Sequence, residues 1–245
     1  MNIVDLWELC LGVEYDENLL VDGLEDWFKL QPRHQSILDC ACGTGFPSIK
    51  LLQKGYNVTC SDASTDMLNR FEANALKCGV VEKPVCVRWQ ELANHFNECF
   101  DIVMCRGSSL IYIDGWEEDA VPKRIAISEA LLNFRKCLKP GGVLYVDTTT
   151  EENLLNTGPE KTKFGPIAIQ GKEVYLDEVV YTDRNNNTRR WHTKVTINGV
   201  VHEFDRHSHY LPHETLIEML QEVGFKKINK IKIKGEMYTS FEARL

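Results

Sequence analysis

The sequence predicts an α/β fold, in which a mostly parallel sheet carries helices on both faces and is followed by a small antiparallel β insertion. Short apolar strands alternate with amphipathic helices through roughly the first 150 residues, and this alternation is typical of parallel sheets. A glycine-rich turn at 39–45 joins the first strand directly to a helix. After Asn156, polar and apolar residues alternate between turn signals, which indicates antiparallel hairpins.

The elements of the main sheet follow in a regular order. Two amphipathic stretches within residues 5–30 predict N-terminal helices. Strands are predicted at 36–39, 57–61, 85–89, 100–105 and 143–148. Helices are predicted between them at 45–54, 64–79 and 123–138. Ser64 is a favourable helix cap, and Gly79 is of the residue type that commonly ends a helix.

The insertion is predicted to span residues 159–210. Turn residues occur at 183–187 and at Asn198-Gly199, and an asparagine–glycine pair is a strong hairpin signal. The main sheet is then completed by a helix at 213–223 and by strands at 226–233 and 237–244. The predicted organisation is therefore one domain made of residues 1–158 and 211–245, with an inserted β lid.

The composition argues against several classes of function. The chain has 245 residues with 43% hydrophobic content, which suits a soluble globular protein. Its net charge of −8 and pI near 5.4 argue against nucleic acid as a partner. The N-terminus lacks a basic, apolar leader and no segment approaches about 18 apolar residues, so we expect a cytoplasmic protein that contacts no membrane. The nine cysteines show no zinc-site spacing, and we expect reduced thiols and no metal.

The glycine-rich turn predicts a site for a nucleotide-type cofactor. Asp39 ends the first strand, and Gly43 and Gly45 follow within the turn. Glycine lets the backbone pass close to a ligand, and the N-terminus of the next helix offers free N–H groups. Asp62 ends the second strand 23 residues after Asp39, where an acid takes the ribose hydroxyls in doubly wound folds. The alternative is that both acids are ordinary helix caps on a scaffold that binds no cofactor.

Four segments carry a resemblance to a known family. Residues 39–45 have the form D-x-A-x-G-x-G, which resembles motif I of the class I S-adenosylmethionine-dependent methyltransferases. With the segments 62–68, 100–109 and 139–142, nearly the whole chain resembles the glycine and glycine/sarcosine N-methyltransferases. The resemblance implies a Rossmann-like, seven-stranded methyltransferase sheet. It also implies S-adenosyl-L-methionine as the methyl donor and S-adenosyl-L-homocysteine as the product.

The resemblance further implies a set of cofactor-binding residues. Asp39 and the turn would hold the methionine end and the ribose, and Asp62 would bind the ribose diol. Ala63 and Met67 would border the adenine. Arg88 stands where the family has asparagine or aspartate, and a guanidinium cannot accept a hydrogen bond from the adenine amine. The complete predicted set is Asp39, Ala41, Cys42, Gly43, Gly45, Asp62, Ala63, Met67, Arg88, Trp89, Cys105, Arg106 and Gly107.

The substrate side departs from the family pattern. Thr149 stands where the glycine enzymes have an arginine for the substrate carboxylate, and threonine cannot form a bidentate ion pair. Ser108 replaces an asparagine, and Cys10 replaces a tyrosine. We therefore expect a small amine other than glycine as the substrate. Glu151 fits a cationic acceptor, but a helix cap is an equally good interpretation of this residue.

The insertion supplies most of the remaining candidate residues. Its aromatic side chains suggest a lid over the substrate, and a purely structural flap is the alternative. The predicted substrate-binding residues are Ser108, Thr149, Tyr175, Tyr181 and Tyr210. The candidate proton acceptors are Tyr112, Glu151 and His209. His207 and His209 share a strand face without an obvious third ligand, so a metal is not expected.

Three functions are compatible with the sequence. N-methylation of a small amine is the first hypothesis, and O-methylation of a small hydroxylated metabolite is the second. The second would require a dedicated base in the pocket. The third is a protein that binds the cofactor without turnover, which the intact cofactor motifs disfavour.

Overall fold

The structure, a computed structural model, describes residues 1–31, 35–115 and 124–245. In these ranges the helices are α1 (Ile3–Glu14), α2 (Glu17–Lys29), α3 (Ser48–Gln53), α4 (Thr65–Lys77), α5 (Leu92–His95), α6 (Arg124–Cys137), α7 (Glu151–Leu155) and α8 (His213–Glu222). The strands are β1 (Ser36–Asp39), β2 (Asn57–Asp62), β3 (Val85–Cys86), β4 (Phe100–Cys105), β5 (Leu138–Thr148), β6 (Glu160–Ile169), β7 (Lys172–Asp183), β8 (Thr188–Ile197), β9 (Val200–His209), β10 (Lys227–Ile231) and β11 (Thr239–Arg244). Within the described ranges, no helix has the length and apolar character needed to cross a membrane.

Seven strands form the central sheet in the order β10-β11-β5-β4-β1-β2-β3. The strands β1 to β5 run parallel, whereas β11 runs antiparallel to both β5 and β10. This arrangement confirms the predicted α/β class and the seven-stranded sheet. From β1 the chain proceeds first to β2 and β3 on one side and then to β4 and β5 on the other. Such a change of direction opens a crevice at the carboxyl ends of β1 and β4, where open α/β sheets bind ligands.

Hydrophobic layers pack on both faces of the sheet. Leu20, Leu24 and Phe28 recur every four residues along α2, so they form one buried stripe that packs with α3 and α4. On the opposite face, α6 and α8 contribute buried residues such as Phe134 and Leu216. The sheet is thereby fixed from both sides, and its carboxyl edge is left to the loops that build the site.

The insertion is a separate antiparallel sheet, as predicted, and its strand order is β6-β7-β8-β9. Asn198 and Gly199 form the turn between β8 and β9, with φ angles of 48° and 82°. Side chains alternate between the two faces of each strand. Leu176 and Glu178 of β7 are on the inner, buried face, and this face packs against α1.

Some element boundaries differ from the predicted ones. The third strand ends at Cys86 instead of 89, because Trp89 begins a 3₁₀ turn. The helix after the glycine turn begins at Ser48 instead of 45, because Gly45 has a φ of 104°, outside the helical region. The first residue of the helix predicted at 123–138 lies outside the described residues.

Two glycines let α2 approach the loop between β10 and β11 closely. A Cβ on Gly23 would lie 2.2 Å from the carbonyl oxygen of Lys234. A Cβ on Gly235 would lie 2.5 Å from the backbone nitrogen of Leu20, and Gly235 also has a φ of 80°. Neither position can take a side chain without displacing the loop. The next residue in this loop, Glu236, belongs to the candidate site.

We expect Gly235→Ala to lower the free energy of unfolding. The strained φ angle should account for about 1–3 kcal/mol of the loss, and the clash of the new Cβ with α2 should add to it. Gly171→Ala is the matched control, because Gly171 has a φ of 76° but a Cβ at that position would have no atom within 4 Å. Urea and thermal unfolding measure both variants. Equal losses for the two variants would contradict a close approach between α2 and the loop.

Candidate active site

One cleft lies at the carboxyl ends of β1 and β4, where the sheet topology places it. It is lined by Trp7, Leu11, Glu14, Tyr15, Ala41, Cys42, Gly43, Thr44, Phe46, Arg106, Gly107, Ser109 and Tyr238. A larger groove of about 500 Å³ lies between α2 and the last two strands, beside Trp27 and Lys234. Because no residue of the predicted site lines that groove, the cleft is the candidate active site.

The glycine turn after β1 is held by Asp39. Its carboxylate accepts hydrogen bonds from the backbone N–H of Ala41 at 3.1 Å and from the Ser48 hydroxyl at 2.5 Å. Burial raises the pKa of Asp39 to about 6, and the two donors oppose that rise. Gly45 has a φ of 104°, which strains any residue with a Cβ, and a Cβ there would also displace the Ile49 side chain, so glycine is favoured where the turn meets α3. The Asp39 carboxylate is therefore engaged within the turn.

Asp62 connects the end of β2 to the same turn. Its carboxylate accepts from the backbone N–H of Gly43 at 3.0 Å and of Ser64 at 2.9 Å. Burial raises the pKa of Asp62, and these backbone donors oppose the rise. Gly43 has a φ of 50°, and a Cβ there would have no atom within 4 Å. The turn thus presents open backbone beside a carboxylate.

The residues predicted around the adenine lie along one rim, after β2 and β3. Ala63 and Arg88 are exposed, and Met67 is partly buried. The Trp89 indole N–H donates to the carbonyl oxygen of Cys40 at 2.5 Å. Trp89 therefore braces the glycine turn, and its N–H is not available to a ligand.

Asp147, which the sequence analysis did not single out, organises the carboxyl end of β4. Its carboxylate accepts from the backbone N–H of Gly107 at 3.1 Å and of Ser108 at 2.5 Å. Both residues have left-handed backbone, with φ angles of 73° and 53°. Burial, together with the nearby Glu236 carboxylate, raises the pKa of Asp147. The backbone donors of this segment are thus already occupied.

Two predicted residues of this segment lie beneath the cleft. Cys105 is fully buried, and burial raises the pKa of its thiol. Ser108 is 1% exposed, and within the described residues its hydroxyl has no hydrogen-bond partner. The interpretation of Ser108 as a substrate contact is corrected, because its side chain lies below the cleft surface.

A buried ion pair forms one wall of the cleft. Arg106 Nη1 lies 2.7 Å from Glu236 Oε2, and the two side chains are 6% and 1% exposed. The Tyr15 hydroxyl donates to the second carboxylate oxygen at 3.0 Å. The guanidinium lies 5.2 Å from the ring centroids of both Tyr15 and Phe46. Burial favours the neutral form, but the Glu236 carboxylate raises the pKa of Arg106 above its usual range, so the guanidinium stays charged.

A second buried arginine approaches from the inserted sheet. Arg206 of β9 forms an ion pair with Glu178 of β7 and donates to the Tyr112 hydroxyl at 3.2 Å. Its guanidinium lies 4.9–5.9 Å from the ring centroids of Trp7, Tyr112, Trp191 and Phe204. Burial raises the pKa of Tyr112 to about 12. The Tyr112 hydroxyl is thus engaged by Arg206 and does not line the cleft, which corrects its interpretation as a proton acceptor.

Thr149 lies beneath a third buried arginine. Arg189 of β8 donates to the Thr149 hydroxyl at 2.7 Å and holds both oxygens of Glu160 at 2.6 Å. The Thr149 carbonyl oxygen lies 2.8 Å from Nε2 of His213, and Thr149 is 2% exposed. Arg189 of the inserted sheet thus lies beside Thr149, the position where the glycine enzymes have their arginine. Its charge is compensated by Glu160. Thr149 itself is covered and does not contact the cleft, which corrects its predicted role.

The three predicted tyrosines of the insertion do not line the cleft. Tyr175 and Tyr181 lie on the outer face of β7 and are 37% and 50% exposed, because their buried neighbours Leu176 and Val180 take the inner face. The Tyr210 hydroxyl donates to the carbonyl oxygen of Leu154 at 3.1 Å and joins the insertion to α7. All three are corrected as substrate contacts.

The two other candidate proton acceptors are engaged elsewhere. Glu151 lies in the first turn of α7 and pairs with Lys230 at 3.0 Å on the surface, in agreement with the helix-terminus interpretation. His209 Nε2 lies 2.6 Å from the Asp114 carboxylate. Among residues 1–31, 35–115 and 124–245, no group of three or more His, Cys, Asp or Glu side chains is placed to hold a metal.

Comparison with known proteins finds similarity to methyltransferases. Residues 37–142 match the family model of a methyltransferase domain. The chain is 30% identical over 179 residues to the glycine/sarcosine N-methyltransferase of Halorhodospira halochloris, covering 72% of this chain and 62% of that relative. It is 28% identical over 244 residues to the glycine/sarcosine N-methyltransferase of Parasynechococcus marenigrum, covering 98% and 79%. The sugar N-methyltransferase KedS8 from Streptoalloteichus sp superposes with a TM-score of 0.71 at 17% identity, over 99% of this chain and 92% of that chain.

The matched domain contains eight of the thirteen residues that line the cleft. It extends from β1 into β5 and includes the glycine turn, Asp62 and the carboxyl end of β4. The match to the Halorhodospira enzyme spans 62% of that relative's length. The likeness to the sugar enzyme, at 17% identity, is a likeness of fold. Residues 37–142 of the chain therefore form a methyltransferase domain, within a Rossmann-like fold shared with solved methyltransferases.

Proposed function

We propose that this chain is an N-methyltransferase for a small amine that lacks a carboxylate group. Its main support is that Arg106, the arginine that lines the cleft, is already paired with a carboxylate of the protein, as are the buried Arg189 and Arg206 of the inserted sheet. The three ion pairs are Arg106–Glu236, Arg189–Glu160 and Arg206–Glu178. A guanidinium that already holds a carboxylate of the protein does not offer the bidentate site that a glycine-like substrate needs.

The residues around the glycine turn fit the cofactor. Asp62 would bind the ribose diol, and the open backbone at Gly43 would lie against the methionine end. When bound, S-adenosylmethionine supplies a methyl group on a sulfonium centre together with its leaving group. The chain's own part is to align the acceptor nitrogen with the methyl carbon and to exclude water. The acceptor must arrive there as the free base, since a protonated nitrogen has no lone pair.

We propose that the four-stranded sheet is the lid of this cleft. Its inner face carries Arg206 and Trp191 and packs against α1, whose Trp7 lines the cleft. A sheet held in this place would shield the reacting atoms from solvent.

O-methylation of a small hydroxylated metabolite is the alternative. It would require a base that removes the hydroxyl proton. None of the three predicted acceptors lines the cleft, whereas the carboxylate of Glu14 does, so the availability of a base does not decide between nitrogen and oxygen. The relatives and the solved structure described above are N-methyltransferases by name, which favours nitrogen.

Asp62→Asn should weaken the binding of S-adenosylhomocysteine by about 1.5–3 kcal/mol, because it removes the charge from a hydrogen bond to the ribose. Asp66→Asn is the matched control, since Asp66 is an exposed acid in the first turn of α4. Isothermal calorimetry measures both variants. Unchanged affinity for Asp62→Asn would contradict the ribose role.

Glycine and sarcosine should be poor substrates, because burying their carboxylate without a charged partner is costly. A screen with isotopically methyl-labelled S-adenosylmethionine should include pairs such as glycine and 2-aminoethanol, which differ only in the carboxylate, together with matched alcohols. Mass spectrometry should detect label on nitrogen and little or none on glycine. Robust glycine turnover would contradict the proposal, and label on oxygen alone would support O-methylation instead.

A further inference from the structure

Glu14 is a carboxylate in the cleft that the proposed function has not used. It is the last residue of α1 and lines the cleft together with Gly107, Ser109 and Tyr238. Its side chain is partly buried, and within the described residues the carboxylate makes no hydrogen bond or ion pair. A carboxylate withdrawn from water without a partner is unfavourable unless a ligand compensates it.

The charges around Glu14 leave room for a cation. The titratable groups that face it are Cys10 of α1, Glu178 and Arg206 of the inserted sheet, Tyr112 after β4 and Tyr238 before β11. Arg206 is already paired with Glu178. The two carboxylates and one guanidinium therefore carry a net charge of about −1 when both acids are ionised.

The geometry of the cleft also suits an ammonium group. Aromatic rings of Trp7, Tyr15 and Tyr238 line the same cleft as Glu14. Aromatic faces attract cations, and a carboxylate among them provides the counter-charge. Burial raises the pKa of Glu14 to about 8, Glu178 adds to the rise and Arg206 opposes it. This range suits proton exchange with an amine near neutral pH.

We propose that Glu14 binds the ammonium group of the acceptor and takes one proton from it before methyl transfer. The inference rests on the proposed N-methyltransferase function and adds the residue that selects a cationic amine. One N–H bond of the ammonium breaks, and the proton moves to the Glu14 carboxylate while the electron pair stays on nitrogen. That pair forms the bond to the methyl carbon as the carbon–sulfur bond breaks and its electrons remain on sulfur. The products are an N-methylated ammonium, a neutral thioether and protonated Glu14, which returns its proton to solvent.

Sinefungin tests this inference without knowledge of the acceptor. In this analogue of S-adenosylmethionine an aminomethine group replaces the methylsulfonium, so an ammonium stands where the methyl group would be. S-adenosylhomocysteine lacks that ammonium. We expect the parent to bind sinefungin more tightly than S-adenosylhomocysteine. Glu14→Gln should weaken the binding of sinefungin about tenfold, which corresponds to the loss of one charged contact. Its affinity for S-adenosylhomocysteine should be nearly unchanged.

Matched variants separate charge from structure. Glu17→Gln is the control, because Glu17 begins α2 on the surface, where its Oε2 lies 3.8 Å from Nζ of Lys50. Its preference for sinefungin should equal that of the parent. Glu14→Asp keeps the charge and should retain part of the preference. Glu14→Gln should be at least as stable to heat as the parent, because it removes an uncompensated carboxylate.

The pH dependence gives a second measure. Because the pKa of Glu14 is raised, its carboxylate is largely neutral below about pH 8 in the unliganded protein. The preference of the parent for sinefungin should therefore increase as pH rises toward 8, and this increase should be absent from Glu14→Gln. If Glu14→Gln kept the parent's preference for sinefungin, or if the parent showed no such preference, the role of Glu14 would be overturned while the proposed function would stand. Failure of the parent to bind S-adenosylhomocysteine would overturn the proposed function itself.

Discussion

The buried ion pair between Arg106 and Glu236 is the interaction on which the cleft depends. It joins residues that are 130 positions apart and receives the Tyr15 hydroxyl from the N-terminal segment. Breaking such a pair by removing one partner typically costs about 3–5 kcal/mol, because a charge is left buried without compensation. Glu236 follows Gly235 in a loop that lies against α2, and the absence of a Cβ on Gly235 permits that close approach. The same pair stands beside Asp147, whose carboxylate holds the left-handed backbone after β4.

A compensated arginine lines the cleft, since Arg106 is paired with Glu236. Arg106, Arg189 and Arg206 are each buried, and each has a carboxylate of the protein as its partner. A substrate carboxylate would have to displace one of these partners, whereas a substrate amine meets no such competition. Among the described residues the Glu14 carboxylate has no hydrogen bond or ion pair, so the cleft gains a negative charge when Glu14 ionises. Under the proposed function, selection against glycine and selection for a cationic amine would both follow from the charge balance of the cleft.

Much of the cofactor side could be predicted because its signals are local in the sequence. The glycine turn at 39–45 directly follows an apolar strand that ends in an acid, so the signal lies within a few residues of the sequence. Asp62 follows at the distance that a βαβ unit requires. Asp147 carried the same signal, an acid at the end of an apolar strand, and was open to the same inference. Glu236 had no such signal, since its role arises from a contact between distant segments.

The substrate side could not be predicted because it depends on which face each side chain takes. Tyr175 and Tyr181 have the right chemistry for a pocket, but strand register turns them to solvent. Glu14 was not predicted as a site residue, because a glutamate between two amphipathic helices is typical of a solvated turn. Only the packing of α1 against the inserted sheet brings it into the cleft.

The most direct measurement of this account is a crystal structure of the chain with S-adenosylhomocysteine bound. The account predicts ribose hydroxyls within hydrogen-bond distance of Asp62 and the thioether sulfur beside Gly107, on the side of the cleft that Glu14 lines. Binding of the ligand in the groove beside Trp27, or with its ribose away from Asp62, would contradict the account.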